Sequence, residues 1–154
     1  MRILFDNLTD KDVTVLTASS TATGKPVSRL KNMLRSIYWE STGKTEESVT
    51  ADLGSGGILV KVAAVTGFDL TREATVEFLH STNNVTFTSL GVITLGTPTA
   101  GYGEGGFGEG GFGGFSPTSP LIGHVISLFF SSLGSRYWQV IIKDPANTKN
   151  IRLG

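Results

Sequence analysis

Short apolar–polar alternations, broken by small and polar residues, run along almost the whole chain. In Ser48-Val49-Thr50-Ala51-Asp52-Leu53 the apolar side chains fall at every second position, the period of a strand with one face buried. Val13 to Thr17 predicts a first strand, and Ile37-Tyr38-Trp39-Glu40-Ser41 a later one ahead of a polar turn at Gly43. Ile58 to Val65 is apolar on almost both faces and predicts an interior strand, entered through a turn at Gly54-Ser55-Gly56-Gly57. Ala74 to Leu79 and Thr86 to Thr88 follow, with Asn83-Asn84 turning between them, and Gly91 to Leu95 predicts another short strand. Gly123 to Phe130 and Arg136 to Ile142 predict two long strands joined at Leu133-Gly134-Ser135. Asp144-Pro145-Ala146-Asn147 is a turn signal before a last short strand, Ile151 to Leu153. One helical turn fits between Pro26 and Met33, too short to found a helical domain. Many short strands at regular spacing predict an all-β sandwich or barrel.

Composition narrows the function classes. The 154 residues suit one domain, here 13–154, preceded by an N-terminal arm at 1–12 that can pair with a neighbour's strand edge. Lys plus Arg equal Asp plus Glu at 13 each, with no basic cluster, so the phosphate-capturing field of a nucleic-acid binder is missing. The absence of cysteine excludes a disulfide framework, a thiolate metal site and a cysteine nucleophile. No apolar run approaches the roughly 18 residues of a membrane helix, and Met1 to Asp6 reads as neither a signal peptide nor an anchor. His80 and His124 lie far apart, with no nucleophile, orienting acid or ligand spacing placed around either. Glu46-Glu47 reads as a solvated pair in a polar turn. The expectation is a protein that is not an enzyme and holds no cofactor.

Residues 97–120 depart from the strand pattern. Between Gly101 and Phe115 lie nine of the twenty glycines, and Glu104 to Gly108 repeats as Glu109 to Gly113. Ordering so much glycine is entropically costly, yet a plain linker has no use for Tyr102, Phe107, Phe112 and Phe115 at a spacing of about five. Docking of these four rings on a partner leads the expectations, ahead of a flexible tip or packing on the chain's own sandwich. The formal Gly-x-Gly-x-x-Gly at Gly101 to Gly106 lacks the strand–turn–helix context of a nucleotide loop and is an accident of composition.

The order of several landmarks is more specific than their class. Thr17-Ala18-Ser19-Ser20 leads to Trp39-Glu40-Ser41, then to Asp52-Leu53-Gly54, and near the end to Arg136-Tyr137. This order resembles the discoidin-type domain of coagulation factors, a galactose-binding-like jelly roll, over residues 13 to 153. Pro26-Val27-Ser28-Arg29-Leu30, Val62 to Gly67 and Asp69 to Ala74 resemble more narrowly the virion proteins of tailed bacteriophages with that fold. The resemblance implies a discoidin-like jelly-roll β-sandwich carrying the glycine-rich segment as a loop insertion. It implies a structural, non-enzymatic virion protein of a phage tail, at the tip or baseplate or beside a fibre. Such a protein is made in the host cytoplasm, and its partners are other tail proteins or further copies of itself.

The alternative reading is a carbohydrate-binding module that contacts host surface glycans, stacking sugars on Tyr38 or Tyr102. Relatives of the resembled family sometimes hold a structural calcium through loop carbonyls and an Asp. Within the sandwich, Trp39, Leu53 and Trp138 are expected in the core, Trp39 plugging one end. Asp52, facing away from Val49, Ala51 and Leu53, is expected to accept hydrogen bonds from a neighbouring loop, with Arg136 and Tyr137 in a similar role.

Overall fold

The computed structural model describes residues 8–31, 37–55, 58–96, 121–122 and 125–154. Eleven strands are seen among them: β1 (Val15–Ala18), β2 (Trp39–Glu40), β3 (Glu46–Asp52), β4 (Val60–Thr66), β5 (Asp69–Leu70), β6 (Thr75–Ser81), β7 (Thr88–Thr94), β8 (Leu121–Ile122), β9 (Val125–Leu133), β10 (Tyr137–Lys143) and β11 (Arg152–Leu153). Two short 3₁₀ turns, Leu8–Asp10 and Val27–Lys31, are the helical elements among the described residues. The chain is nearly all β, as the alternations predict, and none of its described helices is long and apolar enough to cross a membrane.

One layer is a five-stranded antiparallel sheet in the order β1-β3-β10-β6-β7. The pair β4–β9 packs against it through a shared core, to which the two-residue pairs β2–β11 and β5–β8 add Trp39, Leu153 and Leu70. Val49, Val76, Phe78 and Ile142 enter the core from the large sheet, and Val65 and Ile126 meet them from β4–β9. Antiparallel register sets two opposite ends. At one end lie the last residues of β3 and β6 and the first of β1, β7 and β10; at the other lie β2–β11, β5–β8 and the segments joining them.

Several expectations are corrected. The apolar run Ile58 to Val65 is not an interior strand: β4 pairs with β9, and Leu59, Lys61 and Ala64 stand exposed. Its apolarity serves one buried face, through Ala63 and Val65, while the other has no third layer among the described residues. The two short strands expected at 86–88 and 91–95 are one strand, β7, carrying an irregularity opposite Phe78 and Leu79 that lets Gly91 sit within it. Glu47 is buried, not solvated. Trp138, expected in the core, is half-buried. It points to the inner side, but in the last inward-facing row of the sheet, where the core cluster has ended. Trp39 and Leu53 are both buried. The residues of the glycine-rich segment, 97–120, and of the arm up to 7 lie outside those described.

Candidate functional site

The two ends of the sandwich hold different chemistry. At the end where β9 turns into β10, the Trp138 ring stacks on Phe130 at 5.5 Å and tilts against His80 at 5.9 Å. The Trp138 indole N–H donates to the Ser135 carbonyl at 2.7 Å, and His80 Nδ1 lies 2.8 Å from the Ser135 hydroxyl. The structure thus gives His80 a hydroxyl neighbour that the sequence did not place there. No carboxylate among the described residues orients the ring, so the pair lacks the third member of a nucleophilic triad. His124 is outside the described residues.

Beside this cluster Asp52 and Arg136 meet each other. Arg136 donates from Nε and Nη2 to the two carboxylate oxygens at 2.7 and 2.8 Å, and the Gly54 N–H adds a third bond at 2.8 Å. Asp52's pKa is lowered chiefly by the hydrogen bond from Arg136, helped by the Gly54 amide and by Arg136's charge. A carboxyl whose folded pKa is depressed stabilises the fold above its unfolded value, about 3.9, and that contribution fades as pH falls through the folded value. The stability gap between wild type and Asp52→Asn is therefore expected to shrink between about pH 6 and roughly pH 2. Urea midpoints measured along that range check it; a gap that stays constant would mean the pair contributes nothing as an ion pair.

At the opposite end, Glu47 ties two segments together. Its Oε1 accepts from Ser20 Oγ at 2.6 Å and from the Gly43 N–H at 2.9 Å, and its Oε2 accepts from Ser19 Oγ. Ser19, Glu46, Glu47, Ser48 and Ile141 line a shallow depression of about 310 Å³ here. Because its carboxylate oxygens already bond loop donors, Glu47 acts as a structural clamp for the loops on either side.

The group of side chains best placed for a ligand lies on the outward face of β2–β11. Pairing of Trp39 with Leu153 and of Glu40 with Arg152 sends the first pair inward, where both are buried, and the second outward. Tyr38, one residue before Trp39, shares the outward side with Glu40. The segment carrying Lys25 is hung on the same strand, since the Ala22 N–H donates to the Glu40 carbonyl at 2.8 Å and the Glu40 N–H to the Lys25 carbonyl at 3.4 Å. The result is a compact polar face. Lys25 Nζ lies over the Tyr38 ring, 4.0 Å from its centre, and the Arg152 guanidinium lies 5.2 Å from it. Arg152 Nε donates to Glu40 Oε2 at 3.2 Å, and Asn150 Nδ2 donates to Glu40 Oε1 at 3.1 Å. The Tyr38 phenol is held below its ordinary pKa, first by the close approach of the Lys25 ammonium and then by the charge of Arg152; burial and Glu40 oppose the shift.

Planar donors and acceptors beside an aromatic ring can bond hydroxyl groups and cover an apolar ring face, which suits a polyhydroxylated ligand. Of these residues the sequence singled out Tyr38 as a sugar contact. Lys25, Glu40, Asn150 and Arg152 escaped it, because three separate segments bring them together. Tyr102, Phe107, Phe112 and Phe115 fall outside the described residues, so no position for them enters this site. For a metal, no three His, Asp or Glu side chains converge among the described residues.

No family model and no curated relative matches the chain. Solved structures do. A family 32 carbohydrate-binding module of Clostridium perfringens superposes with a TM-score of 0.63 at 17% identity, over 97% of this chain and 94% of that module. The family 32 module of C. perfringens NanJ, solved with galactose, gives 0.58 at 13% identity, over 95% and 90%. A GH29 fucosidase of Ruminococcus gnavus, solved with fucose, gives 0.63 at 13% identity, and this chain spans 25% of its length. At such identities the likeness shows the fold: a discoidin-like, galactose-binding-like jelly roll.

Proposed function

We propose that the chain is a non-catalytic carbohydrate-binding module that takes up a glycan on the outward face of β2–β11. The observation that carries this reading is the grouping of Tyr38, Lys25, Glu40, Asn150 and Arg152 on one solvent-facing side of two paired residues. An aromatic edge with a carboxylate, a carboxamide and two cations offers donors and acceptors in several directions, as vicinal sugar hydroxyls require. Support comes also from the fold. Whole carbohydrate-binding modules match nearly the full chain, and two of the solved ones hold galactose and N-acetylgalactosaminyl-β-1,3-galactose. The fucosidase match fits a non-catalytic module too, because such domains also occur as parts of glycoside hydrolases.

The virion reading rested on motif order and on the aromatic glycine-rich segment. The comparisons give it no support, and the glycan reading replaces it as the leading one. A glycan array with the full chain tests the proposal directly. Binding to at least one glycan class is expected, and Tyr38→Ala should weaken it by about tenfold, or about 1.4 kcal/mol, with the melting temperature little changed. Uniform silence of the wild type would overturn the reading. Binding that survives Tyr38→Ala undiminished would move the site elsewhere.

A further inference from the structure

The proposed face carries more positive than negative charge. Lys25 and Arg152 both stand over Tyr38, and Glu40 is the carboxylate among the described residues that faces them. That carboxylate is already engaged, accepting from Arg152 on one oxygen and from Asn150 on the other. Lys25 forms no ion pair with any described residue; its ammonium rests on the Tyr38 ring at 4.0 Å. A lysine held in this way keeps its charge, is pre-positioned by the ring, and retains donor capacity toward a ligand.

The Tyr38 phenol reports on the same field. Its ionisation is favoured by the two cations beside the ring, Lys25 at 4.0 Å and Arg152 at 5.2 Å from its centre, so the face stabilises a negative oxygen placed there. A neutral sugar stacked flat on Tyr38 would have to displace Lys25 from the ring. An anionic group set beside the ring would gain a charge-assisted hydrogen bond from Lys25 instead.

The geometry points to an acidic glycan as the ligand of this face, with the sugar's carboxylate or sulfate seated at Lys25 and its hydroxyls bonded by Glu40, Asn150 and the free guanidinium edge of Arg152. This inference rests on the glycan reading above and narrows it to a ligand class. Carboxylate and sulfate share the chemistry that Lys25 recognises, and the two sources are separated by the choice of probe.

The test is titration calorimetry of the full chain with three oligosaccharides of similar length: a neutral galacto-oligosaccharide, an oligogalacturonate and a sulfated galactan fragment. At least one acidic probe is expected to bind about tenfold more tightly than the neutral one, with affinity falling as salt is raised past about 0.1 M. Which acidic probe wins identifies the anion. Lys25→Gln should abolish the preference for the acidic probe over the neutral one, and Lys25→Arg should restore most of it. Lys25→Gln should also raise the Tyr38 phenol's pKa toward its ordinary range in a spectrophotometric titration, which shows that the variant altered this face. Equal binding of all three probes, insensitive to Lys25→Gln, overturns the acidic-ligand inference and leaves the glycan reading standing. No binding to these probes, together with a silent array, overturns both.

Discussion

Trp39→Ala is expected to cost about 3–5 kcal/mol of folding stability, the range for truncating a buried tryptophan, and so to bring a domain of ordinary stability close to unfolding. Trp39 is wholly buried and belongs to the core cluster with Phe68, Leu70, Ile151 and Leu153, the side chains that close the β2–β11 end. Its indole N–H also donates to the Ser20 carbonyl and to Thr21 Oγ1, both at 3.2 Å, which fastens the segment after β1 onto β2. Two losses therefore add: a cavity the size of an indole, and two loop acceptors without their donor. Trp39→Phe separates them. It keeps most of the apolar volume and drops the N–H, so it should cost about 1–2 kcal/mol. Denaturant midpoints at unchanged m-value measure both variants. If Trp39→Ala cost under about 1 kcal/mol, the plug would not carry this end. The change also reaches the proposed glycan face, because inward Trp39 is what turns its neighbour Tyr38 outward.

How much of this was legible in the sequence depends on the distance over which each feature is decided. The alternation of Ser48 to Leu53 fixes which side chains of β3 turn inward, and the structure buries Val49 and Ala51 accordingly. Asp52 and Arg136 each look like hydrogen-bonding residues at a strand end, yet nothing local says that they partner one another across 84 positions. That pairing follows from β3 lying beside β10, which is a property of topology. Trp138 shows the opposite case. An indole in a strand pattern reads as core, and its side is inward, but its row is the last inward-facing one in the sheet. Its neighbours there are His80 and Phe130, and the core aliphatics lie in the rows below.

Short elements escape for a related reason. A two-residue strand has no period to read, so β5 and β8 leave no signal, and neither does the pairing of β2 with β11 that builds the proposed site. Tyr38 could be named from its type, an aromatic side chain suited to a sugar face. Lys25, Asn150 and Arg152 are ordinary surface residues until the β2–β11 pairing and the Ala22–Glu40 bond bring their segments together. Glu47 was misread because a Glu-Glu pair in a polar stretch is usually hydrated. Here strand alternation turns Glu46 to solvent and Glu47 inward to waiting hydroxyls.

Asp144 is the second residue whose removal should be severe, with Asp144→Ala expected to cost about 2–4 kcal/mol. The sequence marks Asp144-Pro145-Ala146-Asn147 as a turn, and the turn is present, closed by the Asn147 N–H on the Asp144 carbonyl at 3.1 Å. A turn aspartate is ordinarily exposed, but this one is fully buried. Its carboxylate reaches across to the segment between β5 and β6, where Oδ2 accepts from the Thr71 N–H at 2.8 Å and Oδ1 accepts from the Thr71 hydroxyl. Its own N–H donates to the Thr45 carbonyl at 2.7 Å. One residue thus joins three connecting segments at the end that carries the proposed glycan face. Alanine would leave both Thr71 donors buried without an acceptor, and an unmet buried donor costs about 1–3 kcal/mol. Asp144→Asn keeps one oxygen and turns an amide toward a donor, so about half the loss is expected. Thr71→Val in the Asp144→Ala background removes the orphaned hydroxyl and should recover about 1 kcal/mol, leaving only the backbone N–H unmet. Equilibrium unfolding of the four proteins closes that cycle. A strictly additive result would show that the carboxylate stabilises the end through partners other than the Thr71 hydroxyl.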